Sequence, residues 1–277
     1  MAPLDYVALR LVRRHLPNRL VRLLLARGII IKPGLETSAP GEATLLFLNA
    51  VAAAGETVVG RRILIFGYGG NFGVALGLLQ AGARHVVLVD PYAEPQEVPD
   101  PRRLTAIHAP LRDYLSAGGE LVDVVLSNSM LEHVEDVAEA VSDLARATAS
   151  GGRHFHFIDL RDHYFKYPFE MLCHSERIWR RVLNPGSNLN RLRVGDYERL
   201  FSTSFQQVRV ELLGIDTAAF RSARRRIRPE FLTGETIKTQ SHASCSEHPY
   251  CRPIGDPGTL QSQCCTLRFK IASSVSR

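Results

Sequence analysis

The sequence predicts an α/β fold, in which a doubly wound, mostly parallel sheet of seven strands follows an N-terminal helical segment. Two observations predict it. Short apolar runs that end at a glycine or an acid recur from residue 61 onward, and amphipathic helical segments separate them. Strands that alternate with helices form right-handed βαβ units, so helices are expected to cover both faces of the sheet.

Composition narrows the class of protein. The 277 residues are 45% hydrophobic and 22% charged, which suits one domain with its own core. The net charge is +6, and the arginines that cause it cluster outside the predicted sheet, away from its ligand edge. We therefore expect no nucleic-acid partner. Apolar runs fall short of the roughly 20 residues of a membrane span. Five cysteines and no secretory signal predict a cytoplasmic protein with free thiols.

The first 58 residues are predicted to form a helical cap. Apolar periodicity predicts helices at 4–27, interrupted at Pro17-Asn18, and at 42–54. We expect the first helix to cover the ligand pocket with its arginines facing water. Because it is basic as well as apolar, a peripheral contact with an anionic membrane is the alternative.

The main domain is predicted to span residues 59–272, with an irregular insertion at about 160–200 and a loop at about 235–264. Its helices are expected at 74–81 and 134–147. The last two strands alternate polar and apolar residues, which predicts an antiparallel, hairpin-like pair at the sheet edge. The seven strands are expected at 63–66, 86–89, 104–108, 122–126, 155–158, 208–213 and 266–271.

Ligands of such sheets bind outside the carboxyl ends of the strands. The first strand ends in a glycine-rich turn, 67–73, whose backbone can approach a ligand closely. The second ends at Asp90, which is placed to accept hydrogen bonds from two ribose hydroxyls. This pattern suits several adenosine cofactors, and a tight turn without a ligand is the alternative. A nicotinamide cofactor would require a glycine where Phe72 stands.

The run 123–134, which contains Leu131-Glu132-His133-Val134, resembles the fourth-strand motif of class I S-adenosylmethionine (SAM)-dependent methyltransferases. The helix after it, which ends at Gly151-Gly152, and the segments 158–165 and 190–193 resemble the type 11-like, small-molecule branch of that family. The resemblance covers about residues 60–215. It implies a Rossmann-like methyltransferase fold, SAM as cofactor and methyl transfer to a small-molecule acceptor.

The resemblance also implies which residues hold the cofactor. The first-strand glycines would wrap its methionine part, Asp90 would hold the ribose, and the ends of strands two to four would flank the adenine and the sulfonium. The implied cofactor-binding residues are Gly67, Tyr68, Gly69, Asn71, Asp90, Pro91, Tyr92, His108, Ala109, Ser127 and Asn128.

Three positions depart from the family pattern. Ile65 and His108 stand where the family usually carries acids, and Asn71 stands where it often has a third glycine. The pocket is therefore expected to be less acidic than usual. One alternative function is a methyltransferase-fold protein that binds SAM or its product without methylating. An NAD(P)-dependent oxidoreductase is the other.

His133, His163 and Asp159 are the candidate catalytic residues, because they follow strand ends at the ligand edge. A neutral histidine can take the proton of an alcohol or phenol acceptor, and Asp159 could hydrogen-bond the substrate. The alternatives are that His133 only shapes the pocket and that His163 faces solvent. Asp162, like Asp159, could hydrogen-bond the substrate or the cofactor's amino group, and it could equally pair with Arg161 or Arg193.

Three further features have structural alternatives. The aromatic segment 164–169 with Trp179 could line an acceptor pocket or form the core of a small subdomain. His154 and His156 share one face of a strand and are expected to pack under a helix. Four residues near the C-terminus are of types that bind zinc: His242, Cys245, His248 and Cys251. They lack the paired spacing of zinc sites, so no metal is expected there.

Overall fold

The computed structural model describes residues 3–16, 34–164, 166–184, 189–215, 217–232 and 263–271. Three predicted features lie wholly or mostly outside these ranges: the second half of the first helix, the loop at about 235–264, and the group from His242 to Cys251 within that loop. None of the described helices is both long and apolar enough to cross a membrane.

Seven strands form one sheet in the order β3-β2-β1-β4-β5-β7-β6, and every neighbouring pair is parallel. The order reverses between β1 and β4: β2 and β3 lie on the far side of β1, and β5, β7 and β6 lie on the far side of β4. The strands are β1 Arg62–Phe66, β2 His85–Val89, β3 Leu104–Ile107, β4 Val122–Asn128, β5 Thr148–Asp159, β6 Gln207–Ile215 and β7 Cys264–Ile271.

The helices lie before, between and beside these strands. The described α-helices are α1 Leu4–His15, α2 Leu35–Ser38, α3 Pro40–Ala53, α4 Gly73–Gln80, α5 Leu111–Ser116, α6 Val137–Arg146, α7 Glu176–Ile178, α8 Val194–Ser202 and α9 Thr217–Ala223. Helix α7 continues into a π-helical turn, Trp179–Leu183. Short 3₁₀ turns occur at Leu131–His133, Glu170–Cys173 and Pro229–Phe231.

The expected antiparallel pairing of the last two strands is wrong. Strands β6 and β7 are neighbours, but they pair in parallel, with Gln207 opposite Cys264 and Ile215 opposite Ile271. A parallel pair needs a crossover of a dozen or more residues, and residues 216–263 are long enough to provide it. The polar–apolar alternation indicates which face of a strand is buried, not its direction.

The strands bury both of their faces. On β1, Ile63 and Ile65 pack with α3 and α4 on one side, while Leu64 and Phe66 pack toward α6 and α8 on the other. Near-continuous apolar strands are typical of a parallel sheet covered by helices on both sides. The structure therefore confirms the doubly wound α/β fold.

A third core joins the N-terminal helix to the insertion after β5. Tyr6 of α1 is buried among Phe169, Met171 and Trp179. Arg10 is 3% exposed, and its guanidinium donates to Asp162 Oδ1 at 2.5 Å. The aromatic insertion thus forms a subdomain core with α1.

This core corrects two expectations. The buried face of α1 carries Tyr6 and Arg10, whereas Leu9 and Val12 are exposed, so the arginines of this helix do not all face water. Asp162 pairs with Arg10 and accepts a hydrogen bond from the Tyr6 hydroxyl at 2.5 Å, instead of pairing with Arg161 or Arg193. No local pattern predicts this pairing, because 152 residues separate the partners.

His154 and His156 pack under α8, as expected, against Phe205 and Phe201. They belong to a buried hydrogen-bonded chain. Thr148 Oγ1 donates its only hydrogen to the Leu144 carbonyl. Its 2.8 Å hydrogen bond with His154 is therefore donated by His154 Nε2.

The remaining bonds of the chain then follow. His154 Nδ1 accepts from His156 Nε2 at 3.3 Å, and His156 Nδ1 accepts from the Ser127 hydroxyl at 2.7 Å. Both rings are neutral in this arrangement. Burial is also the main cause that lowers the pKa of His156 to about 3 and that of His154 well below its usual value.

These two histidines predict an acid-sensitive fold. The unfolded chain binds a proton on each ring below about pH 6.5 and the folded chain does not, so the free energy of unfolding should fall as pH drops below 6.5. Each ring contributes up to about 1.4 kcal/mol per pH unit. Urea unfolding between pH 7.5 and 5 measures the slope.

The matched variant is His154→Gln/His156→Gln. It should take up about two fewer protons on unfolding than the wild-type protein, while His15→Gln, an exposed site, should leave the slope unchanged. A wild-type stability that stays flat between pH 7 and 5 would show that the rings are protonated in the fold.

Candidate active site

The candidate site lies at the carboxyl edge of the sheet, where the strand order reverses between β1 and β4. The turn after β1 is made by glycines in the left-handed region, with φ of 81° at Gly67 and 63° at Gly69. At Gly67 a side chain is also excluded by contact, because a Cβ there would lie 2.5 Å from Met130 Cγ. The turn therefore needs glycine for both backbone and packing reasons.

The N-terminal segment covers this turn. A Cβ on Gly69 would lie 3.4 Å from Thr37 Oγ1 of α2, and one on Gly73 would lie 2.6 Å from Pro40 Cβ at the start of α3. Asn71 accepts a hydrogen bond from the Gly73 amide at 2.7 Å, which fixes the entry into α4. The described part of the cap that reaches the pocket is thus α2 and the start of α3, while α1 packs on the insertion.

Asp90, which follows β2, holds the glycine turn in place through its carboxylate. Its Oδ2 accepts from the Gly69 amide at 3.0 Å, and its Oδ1 accepts from the Tyr92 amide at 2.9 Å. The carboxylate is 7% exposed, and each oxygen keeps a second lone pair for a ligand. The neighbouring Pro91 is exposed, as is the Tyr92 side chain.

Three buried polar atoms at this edge have no hydrogen-bond partner among the described residues: Tyr68 Oη, His108 Nδ1 and Asn128 Oδ1. The Tyr68 ring stands 6.3 Å from the His108 ring, and Ala109, beside it, is half-buried. Burying a polar group without a partner is costly, and such groups are rare in folded proteins. These atoms therefore fit a polar ligand, and they lie where the sequence places the cofactor.

Ser127 and Asn128, at the end of β4, have different surroundings. Ser127 is fully buried, and its hydroxyl bonds His156 in the interior. The Asn128 side-chain amide instead donates to Glu36 Oε1 of α2 at 2.6 Å. Sequence reasoning missed Glu36, because α2 has only four residues and carries no periodic pattern.

His133 and His163 are brought together. Their rings meet edge to face, with 4.9 Å between centroids. Burial, and after it the nearby His133, lower the pKa of His163 to about 4, so this ring is neutral near pH 7. His163 is half-buried and does not face open solvent.

The turn that carries His133 is fixed from the insertion. The Asn190 side chain donates to the carbonyls of Leu131 at 2.8 Å and of Val134 at 3.1 Å. Its own Oδ1 accepts from the Tyr197 hydroxyl of α8. The Asn190 contacts therefore hold the backbone on both sides of His133.

Two carboxylates stand beside the histidines. Asp159 forms a two-pronged ion pair with Arg161, at 2.8 Å to Nε and 2.6 Å to NH2, so its charge is compensated. Glu132 is buried, and its Oε1 accepts from the Asp159 amide at 3.2 Å. One ligand atom each from Glu132, His133 and His163 lies within 4.8 Å of the others, a group that suits a divalent cation as well as proton transfer.

The family model described as a methyltransferase domain matches residues 66–156. About a third of the chain is thus similar to a methyltransferase domain. The domain begins at the end of β1 and ends within β5, so it contains Asp90, the orphaned buried atoms and His133. His163 and the N-terminal helices lie outside the matched residues.

Comparison with other proteins finds partial likenesses only. No curated protein matches this chain in sequence. A putative hemolysin from Streptococcus thermophilus is 20% identical over 40% of this chain and 40% of its own, with a TM-score of 0.31. The Bordetella bronchiseptica enzyme WbmF, in complex with NAD+ and UDP, is 13% identical over 57% of this chain, with a TM-score of 0.32. The match spans 51% of the WbmF chain.

The glycine turn of the methyltransferase domain gives a test by substitution. Gly67→Ala should lower the free energy of unfolding by more than Gly118→Ala, because Gly118 has a similar φ of 76° but nothing within 4 Å of a Cβ. We expect about 1–2 kcal/mol for the backbone strain alone, and about 1–3 kcal/mol more for the clash at Gly67. Urea unfolding measures both.

Met130→Ala provides the control. In that background the extra cost of Gly67→Ala should shrink, because alanine removes Met130 Cγ and Sδ, at 2.5 and 2.7 Å, but keeps Cβ at 2.9 Å. Equal costs for the two alanine variants in the wild-type background would mean that Met130 does not pack on the turn.

Proposed function

We propose that this methyltransferase domain uses SAM and transfers its methyl group to a small-molecule acceptor. The observation that carries the proposal is the set of buried polar atoms without partners, Tyr68 Oη, His108 Nδ1 and Asn128 Oδ1, beside the glycine turn and Asp90. A polar ligand with an adenosine part would supply partners for them. When bound, SAM supplies an electrophilic methyl group on a sulfonium.

The residues of the chain would bind and orient this cofactor. The backbone at Gly67 and Gly69 permits close approach, and the Asp90 oxygens would accept from the ribose hydroxyls. Tyr68 and His108 would meet the adenosine part, with Asn71, Pro91, Tyr92 and Ala109 around it. Asn128 would face the amino-acid and sulfonium end of the cofactor. Ser127 would lie beneath this end, hydrogen-bonded to His156 in the interior.

Methyl transfer is a direct displacement, so the alignment of acceptor, methyl and sulfur provides much of the rate. An alcohol or phenol acceptor must also lose a proton. His133 and His163 stand together at the same edge, and a neutral ring can take that proton. Asp159, held by Arg161, would orient the acceptor or the histidines instead of carrying the proton itself.

Binding of the cofactor is the first test. Calorimetry with SAM and with S-adenosylhomocysteine should show binding of both, whereas NAD+ and NADPH should give no heat. Asp90→Asn should weaken binding at least tenfold, because a hydrogen bond to a charged group contributes about 1.5–3 kcal/mol. Glu198→Gln, which removes an exposed carboxylate on α8, is the control and should bind as the wild-type protein does.

Each other outcome has a clear meaning. Nicotinamide binding without SAM binding would overturn the proposal in favour of an oxidoreductase. Tight SAM binding without a methylated product across a panel of alcohol, phenol and amine acceptors would favour a protein that does not methylate. Unchanged affinity in Asp90→Asn would refute the ribose contact.

The histidine pair provides a second test once an acceptor is known. His163→Gln and His133→Gln should each lower kcat about tenfold or more without changing SAM affinity, whereas His15→Gln should change neither. If His163 is the base, the rate should stay level from pH 8 down to 5.5, because this ring is neutral until about pH 4.

Two results would contradict this assignment of the base. A rate that falls steeply between pH 8 and 5.5 would show that His163 is not the base. Loss of activity in a chelator, restored by Mn²⁺ or Zn²⁺, would show that Glu132, His133 and His163 hold a cation instead of moving a proton.

A further inference from the structure

The first helix, α1, turns its polar side toward the protein. Arg10 is buried, and its guanidinium lies 4.7 Å from the ring centroids of both Tyr164 and Trp179. Asp162 is fully buried and accepts from Arg10 and from the Tyr6 hydroxyl, each at 2.5 Å. A buried charge is costly unless it is paired and hydrogen-bonded. Helix α1 therefore cannot turn its other side inward without leaving Asp162 unpaired.

The outward side of α1 is apolar. Leu4, Ala8, Leu11 and Val12 follow the spacing i, i+4, i+7 and i+8, which places them on one face of the helix. All four are exposed, Leu4 by 82% and Val12 by 58%. A helix on a globular protein normally directs such a stripe at the core. A single exposed leucine is ordinary, but a continuous apolar stripe marks a contact surface.

The positive charge of the chain is concentrated around this stripe. Residues 1–33 contain six arginines and one lysine, and Asp5 is their only acid, so they carry the whole net charge of +6. The rest of the chain is formally neutral. Asp5 is itself bound by Lys166 at 2.8 Å. Arg14, which is exposed, donates to the carbonyl of Arg181 in the π-helical turn.

The part of the insertion that packs on α1 adds further basic side chains. Arg177, Arg180 and Arg181 are exposed on α7 and the π-helical turn that continues it. Glu176 is the only acid of these two elements, and it forms ion pairs with Arg180 and Arg191. Cationic groups are therefore in excess beside the apolar stripe.

We propose that the outward face of α1 docks on an anionic membrane surface. The stripe enters the boundary between headgroups and acyl chains, while the arginines beside it meet the lipid phosphates. The helix lies in the plane of this boundary, because Tyr6, Arg10 and Arg14 attach three successive turns of it to the insertion. A second copy of the chain fits this face less well, since like charges would meet. The inference goes beyond the proposed function and does not depend on it.

Vesicle flotation of the full chain tests the proposal. Vesicles of equal parts phosphatidylcholine and phosphatidylglycerol should bind the wild-type protein at least tenfold more strongly than vesicles of phosphatidylcholine alone. This binding should weaken as sodium chloride is added, because salt screens the charges. A protein that floats with neither kind of vesicle would overturn the proposal.

Removal of apolar side chains tests the stripe. Leu4→Gln/Val12→Gln should lower binding to the anionic vesicles at least tenfold. The matched control is Val59→Gln/Leu121→Gln, which changes one exposed valine and one exposed leucine away from α1 and should bind as the wild-type protein does. Thermal unfolding checks that each variant keeps its fold.

Removal of charge tests the arginines. Arg14→Gln/Arg181→Gln should weaken binding to the anionic vesicles and make it less sensitive to salt. Arg84→Gln/Arg102→Gln lowers the net charge equally at two exposed sites elsewhere and should have little effect. Equal losses in the two charge variants would show that the vesicles attract the protein only through its net charge.

Two further results would contradict the docking face. Vesicle binding that survives Leu4→Gln/Val12→Gln would place the membrane contact elsewhere on the chain. Light scattering that shows a wild-type dimer, and a monomer for the same variant, would assign the face to a second copy of the chain.

Discussion

The parallel direction of all seven strands is the constraint on which the rest of the structure depends. It brings every strand end to one edge, and the reversal of strand order between β1 and β4 opens a gap there that side chains from several segments can reach. Asp90 from β2, His108 after β3, Asn128 from β4 and Asp159 from β5 meet at this edge for that reason alone. Their chemistry differs, but their placement has a single cause.

Much of this could be predicted from the sequence. Apolar runs such as Ile63–Phe66 are long enough to identify a buried strand, and a strand fixes where its last residue lies. Asp90 and the glycine turn were therefore placed correctly at the edge from local pattern alone. The direction of β7 was not, because alternation along Cys264–Ile271 reflects which face is buried and contains no information on chain direction.

Contacts between residues far apart in the sequence could not be predicted, because no local pattern marks them. The pairs Arg10–Asp162 and Glu36–Asn128 join residues 152 and 92 positions apart. Each of these residues has an ordinary local context, and a charged residue in such a context is most often on the surface. Only the packing of the N-terminal segment on the insertion and on the glycine turn reveals that they are buried, and hence that this segment is integral to the fold.

The buried histidine chain has an electrostatic consequence for the site. Its hydrogen bonds all run in one sense, from the Ser127 hydroxyl through His156 and His154 to Thr148 and the Leu144 carbonyl. Bond dipoles aligned in this way add, as they do in a helix. The negative end of the sum lies at Ser127, next to the carboxyl edge. The interior of the protein therefore presents a small, fixed negative potential beneath the position proposed for a sulfonium cation, without burying a charge.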